Sequence, residues 1–198
     1  MDLLRRCKSL RSCVTSHWMG KHLVKVATFV ALAALFSGIG NARQTGASQH
    51  DQSSSCAARE YRDFDFWLGY WDVADFARPS VVDAHVRVDS ILEGCVLHEL
   101  YEDSGGQKGE SFTIYDRTTR TWHQTWVTNR GRLLLLNGGM KDGKMVLNAE
   151  DLTSDGKKRL IRGVWTRVPE GVRETAILSL DDGKTWQPWF DLLFRHHR

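Results

Sequence analysis

The residues best suited to chemistry in this 198-residue chain lie in one stretch, TWHQTWV, from Thr121 to Val127. In an extended strand alternate side chains share a face. Trp122, Gln124 and Trp126 therefore stand on one side, and Thr121, His123, Thr125 and Val127 on the other. We assign the tryptophan face to the interior. Two indoles with an amide between them suit recognition of a small molecule: apolar walls, and one donor–acceptor group to orient what they hold. The alternative is simple packing, with Gln124 bonded to a neighbouring strand. If His123 faces inward instead, the site moves to Thr121, His123, Thr125 and Val127.

Other polar groups offer less. His98 and Glu99 are adjacent in the chain, so they cannot both face one cavity. A His123–Glu99 pair could do acid–base work if both turned inward; a solvated histidine and a surface ion pair are the plainer reading. His85, His98 and His123 are scattered without HExxH or i, i+2 spacing, so no metal site is expected. His196-His197 reads as an exposed tail. An inward Arg162 or Arg173 would favour a carboxylate ligand, whereas outward pairing with Glu174 or Glu150 is the expected fate. There is no Gly-x-Ser-x-Gly, no Gly-rich phosphate loop and no CxxC. A final strand over Thr185–Phe194 holds no histidine for a proximal ligand, so neither haem nor another cofactor is expected.

The elements that must position these residues are strands. FDFWLGYWDV, Phe64 to Val73, reads as the floor of a barrel. Gly69 lets the backbone bend, Trp71 points inward, and Phe64, Phe66 and Trp67 plug the end. From Gly69 on, alternation predicts ten strands: Gly69–Phe76, Ala84–Ile91, Cys95–Tyr101, Ser111–Tyr115, Thr121–Val127, Arg132–Asn137, Lys144–Ala149, Leu160–Val168, Val172–Ser179 and Thr185–Phe194. Between them stand turn signals such as Asn129-Arg130-Gly131, Asp142-Gly143 and Asp155-Gly156. Many short strands with short connections form an up-and-down meander, which commonly closes into a barrel of eight to ten strands. Ser179 to Trp186 matches the Asp-box pattern S-x-D-x-G-x-T-W. A single copy marks one hairpin and implies no glycosidase.

Charge and leader set the compartment. Six of the 27 Lys and Arg, and one of the 24 acids, fall in residues 1–42, leaving 21 basic and 23 acidic groups in the rest. No basic patch recommends nucleic acid. Val26 to Gly40 is apolar and uncharged, Lys21 and Lys25 precede it, and Gly40-Asn41-Ala42 supplies small residues for a cut. This predicts a signal peptide over 1–42, with Met19 as an alternative start and a mature protein beginning at Arg43. A run of fifteen is short for a membrane span, so no stable anchor is expected after cleavage. Residues 43–55 read as a flexible spacer and 56–198 as the barrel domain. Only Cys56 and Cys95 remain in the mature part. In the periplasm or outside the cell they suggest one disulfide, the alternative being two buried thiols.

FDFWLGYWDV, ILEGCVLHE, GESFTIYD, TWHQTWV, LLLLNGGMKDGKMVL and DDGKTWQPWFD together resemble a family of exported bacterial proteins that carries a domain of unknown function. The likeness spans roughly Cys56 to Arg195. It implies a lipocalin-like, calycin-type barrel, and it matches family cysteines to Cys56 and Cys95. The family's Trp-Glu pair in the penultimate strand is replaced by Ala176-Ile177. The expectation is an exported antiparallel β-barrel that binds a small, mostly apolar ligand through Trp71, Trp122, Gln124 and Trp126. The alternatives are a barrel enzyme (an isomerase, a cyclase or a haem-dependent nitrobindin-like catalyst) and an interaction module with a filled core.

Overall fold

Alternation becomes ten strands: β1 Gly69–Asp75, β2 Ala84–Ile91, β3 Val96–Asp103, β4 Lys108–Asp116, β5 Thr121–Thr128, β6 Leu133–Lys141, β7 Lys144–Leu152, β8 Lys158–Val168, β9 Gly171–Ser179 and β10 Gln187–His196. The computed structural model describes residues 56–198. The expected signal peptide, its cut and the spacer lie outside them. Each strand pairs antiparallel with the next, and β10 pairs with β1, so the sheet closes into an up-and-down barrel. Closure gives every strand two partners and leaves no free edge. Among the described residues no helix is long and apolar enough to cross a membrane.

Several strands run further than their sequence pattern foretells, and in β4 and β6 glycine is the reason. β4 starts at Lys108 and passes through Gly109; β6 continues through Gly138-Gly139. A β-carbon on Gly109 would lie 2.3 Å from the Trp126 ring, and one on Gly138 would lie 2.0 Å from the Val146 carbonyl oxygen. These glycines mark close approach inside strands, not breaks between them. At the other end of the chain, β10 begins two residues later than expected. Thr185 and Trp186 belong to the preceding turn, and the strand bulges between Pro188 and Phe190.

One end of the barrel is sealed. Single 3-10 turns at Arg59–Arg62 and Asp65–Trp67 carry the chain under it. Phe64 stacks on Trp67 at 5.1 Å and meets Trp165 and Trp122 edge-on at 5.5 and 5.9 Å. Trp71 donates from Nε1 to the Trp67 carbonyl at 3.0 Å. Phe64, Trp67, Trp71 and Trp122 are all fully buried. Burying a large apolar side chain of this kind contributes about 1.5–3 kcal/mol. The Cys56–Cys95 disulfide, with Cα atoms 5.1 Å apart, ties the start of this plug to the residue before β3. Arg62 donates to the Gly94 carbonyl beside it.

Candidate functional site

Above the aromatic floor the strands enclose a lumen. A cavity of about 600 Å³ opens at the far end of the barrel. Its depth is bounded by Trp67 and Trp165, its walls by Trp126, Leu134, Leu136 and Ile161, and its mouth by Gln107, Thr128, Arg130, Arg132 and Trp189. The space exists because small side chains face inward where bulk would fill it: Ser111 on β4, Gly163 on β8 and Ala176 on β9.

Polar groups are few and organised. Gln124 Nε2 donates to Ser111 Oγ at 3.2 Å, and Ser111 Oγ donates to Glu99 Oε2 at 2.7 Å. The register of β3, β4 and β5 sets this relay: Glu99 pairs with Ser111, and Ser111 with Trp126 beside Gln124. Burial pushes the Glu99 carboxyl up to about 7, against the opposing hydrogen bond from Ser111. Glu174 on β9 faces the same cavity. Burial raises its carboxyl well above the ordinary range, and the Glu99 charge adds to the rise. The Trp165 indole leans toward Glu174 and slightly offsets that shift without reaching hydrogen-bond geometry. Tyr101, also on the wall, is held up to about 12 by burial and by Asp103, to which it donates at 3.4 Å.

The mouth is basic. Asp151 accepts from Arg159 at 2.9 and 2.6 Å and from Arg132 at 2.7 Å. Both guanidiniums also sit over the Trp189 ring, at 5.3 and 5.4 Å. Arg130 donates to the Gly105 carbonyl at 3.3 Å and lines the opening.

The residues expected at the site divide into two pairs. Gln124 and Trp126 line the cavity. Trp122 faces inward as assigned, but it lies lower and packs on Phe64 and Tyr115. Trp71 stands in the floor, outside the cavity, with the His196 ring stacked on it at 4.2 Å. His123 is on the outer face, within 3.5 Å of Thr119 Oγ1. His98 also faces outward and meets Glu110 at 3.0 Å, so a His123–Glu99 pair does not form.

Several polar residues land elsewhere than expected. Glu174 turns inward and pairs with neither arginine. Arg173 binds Asp191 at 2.8 and 2.5 Å, while Arg162 donates to Asn148 at 3.0 Å and covers the Trp186 ring. No family model and no curated protein sequence matches the chain. The C-terminal histidines are not a free tail. His196 ends β10, and His197 Nδ1 reaches Asp72 Oδ1 at 2.6 Å, where His85 Nδ1 also arrives at 3.0 Å. These three ligand atoms lie within 4.8 Å of one another on the outer surface, so the set could hold a divalent cation. Spacing along the chain gave no sign of it, since β1, β2 and the C-terminus supply one residue each.

Proposed function

We propose that the barrel binds a small, mostly apolar ligand, and that the protein is an exported, lipocalin-like binding protein. The cavity carries this reading: about 600 Å³, apolar walls, and a few converging polar groups at one depth. Gln124 orients the ligand directly or through Ser111, and Trp126 supplies a flat wall. The Cys56–Cys95 bridge and the apolar run before Ala42 support export. The six sequence motifs support the family assignment.

The test is binding of N-phenyl-1-naphthylamine, a neutral apolar fluorophore, to the mature chain. Its emission should rise on binding, and Trp126→Ala should weaken it. Absence of any binding by the folded protein rejects the reading. A second reading, an acid–base enzyme, is favoured by the carboxyl of Glu99, held near neutrality inside the cavity. A ligand recovered from the native host chemically unchanged after incubation supports binding; conversion to a product supports the enzyme.

A further inference from the structure

Glu99 and Glu174 stand on β3 and β9, which are separated on the shorter way round by β2, β1 and β10. Their carboxyls reach one cavity from facing walls, close enough for the charge of one to act on the other. The hydrogen bonds around Glu99 all run one way, from Gln124 to Ser111 to the carboxyl. A hydroxyl has one proton, and Ser111 directs it at Glu99. That arrangement serves a carboxylate, which only accepts. On Glu174 the nearby donor is the Trp165 indole N–H, which is buried and otherwise unpaired.

What the pair lacks is a cation. Among the described residues no Lys, Arg or His forms an ion pair with either carboxyl. The charged and titratable groups facing the cavity are Glu99, Glu174 and Tyr101 within it and Arg130 and Arg132 at its mouth, the latter engaged with Asp151. Two carboxyls with no counter-charge, Glu99 buried and Glu174 half-buried in the cavity wall, are costly to ionise. A cation supplied from outside would remove that cost. The walls at the same depth are the aromatic rings of Trp126, Trp165 and Tyr101, whose faces attract cations.

We propose that the ligand carries a protonated amine, which sits between Glu99 and Glu174 while its planar apolar body lies against Trp126 and Leu134. This rests on the cavity being a ligand site and narrows the class of ligand. It also sets direction. The amine enters first, and a neutral or anionic end remains at the arginines of the mouth.

Tryptamine, tryptophol and indole-3-acetate share an indole body and differ in the charge at the tip. Calorimetric titration of the mature chain at neutral pH should rank tryptamine about tenfold tighter than tryptophol, and indole-3-acetate weakest. The heat should vary with the buffer, because pairing drives protons off the carboxyls. Glu99→Gln and Glu174→Gln, with near-UV spectra like the wild type, should each remove most of the preference for the amine. If either variant fails to fold, the wild type below about pH 5 serves instead: both carboxyls are then protonated while tryptamine keeps its charge, and the preference should vanish. Equal binding of tryptamine and tryptophol overturns the inference. So does a preference that survives in the double variant or at low pH. If N-phenyl-1-naphthylamine binds and none of the indoles does, the amine is rejected and the cavity reading stands. If nothing binds, both fall.

Discussion

Trp126 lies directly over Gly109. The two residues sit on neighbouring strands, and the ring occupies the place of the side chain that glycine lacks. This contact forms part of the cavity wall, because Trp126 lines the space on its other side.

Gly109→Ala should therefore displace the indole into the lumen. A β-carbon 2.3 Å from Cη2 cannot be accommodated without a shift. Overpacking of this sort costs about 1–3 kcal/mol. Urea denaturation should show the loss, and affinity for the apolar probe should fall with it. Unchanged stability and unchanged binding would contradict the packing described.

Glu99→Gln should stabilise the protein, and only at higher pH. The carboxyl rises from 4.5 to about 7 on folding, so the native state holds its proton more tightly than the unfolded chain. Stability from this group is complete below about 4.5 and falls as pH climbs to about 7. The whole effect is about 3 kcal/mol. Melting of wild type and variant should coincide near pH 4 and diverge near pH 8, with the variant higher. The opposite sign would place Glu99 beside a cation.

Asp181 should act in the other direction. Its carboxylate accepts from Thr185 N and Oγ1 at 2.9 and 2.6 Å and from Ser179 Oγ at 2.7 Å, and is held down to about 2. Its support for the β9–β10 turn is present above the ordinary 3.8 and is lost as pH falls through about 2. Asp181→Asn should flatten the acid limb of the stability curve and loosen Trp186, whose Nε1 donates to Gly183 O at 3.1 Å. An unchanged acid limb would argue against it.

Reduction of the disulfide should weaken the plug. The cysteines are 39 positions apart, and closing a loop of that size stabilises by roughly 3–4 kcal/mol in the chain-entropy model. Thiol labelling of the unfolded, unreduced protein should find neither Cys56 nor Cys95 free. Cys95→Ser should lower the melting temperature, and an unaltered melt would show that the bridge adds nothing.

Strand order and the floor were legible because their signals are local. Alternation and turn residues mark each strand, and the aromatic cluster around Gly69 marks the plug. Gln124 and Trp126 followed from period two once a face was chosen. Glu99, Ser111 and Glu174 were not legible, because part of the barrel inverts the usual pattern. On β4 the small polar Ser111 and Thr113 face inward, while Phe112 and Ile114 are 47% and 38% exposed. The lumen there already holds Trp122 and Trp126 from the neighbouring strand, so only small side chains fit beneath them. Reading polarity alone would turn β4 inside out. Likewise Asp72, His85 and His197 converge only after the ring has closed.

All strand pairings but one join neighbours in the chain; the exception is the seam between β1 and β10. There the His197 amide donates to the Tyr70 carbonyl at 2.8 Å, which brings the two ends of the ring together at the plugged end. The starting point of the sequence is then arbitrary with respect to the architecture. Joining Arg198 to Cys56 by a linker and opening the chain at Asp142-Gly143 would give a permuted protein with the same wall, in which the plug becomes the connection across the present seam and the old β6–β7 turn becomes the place where the ring is fastened.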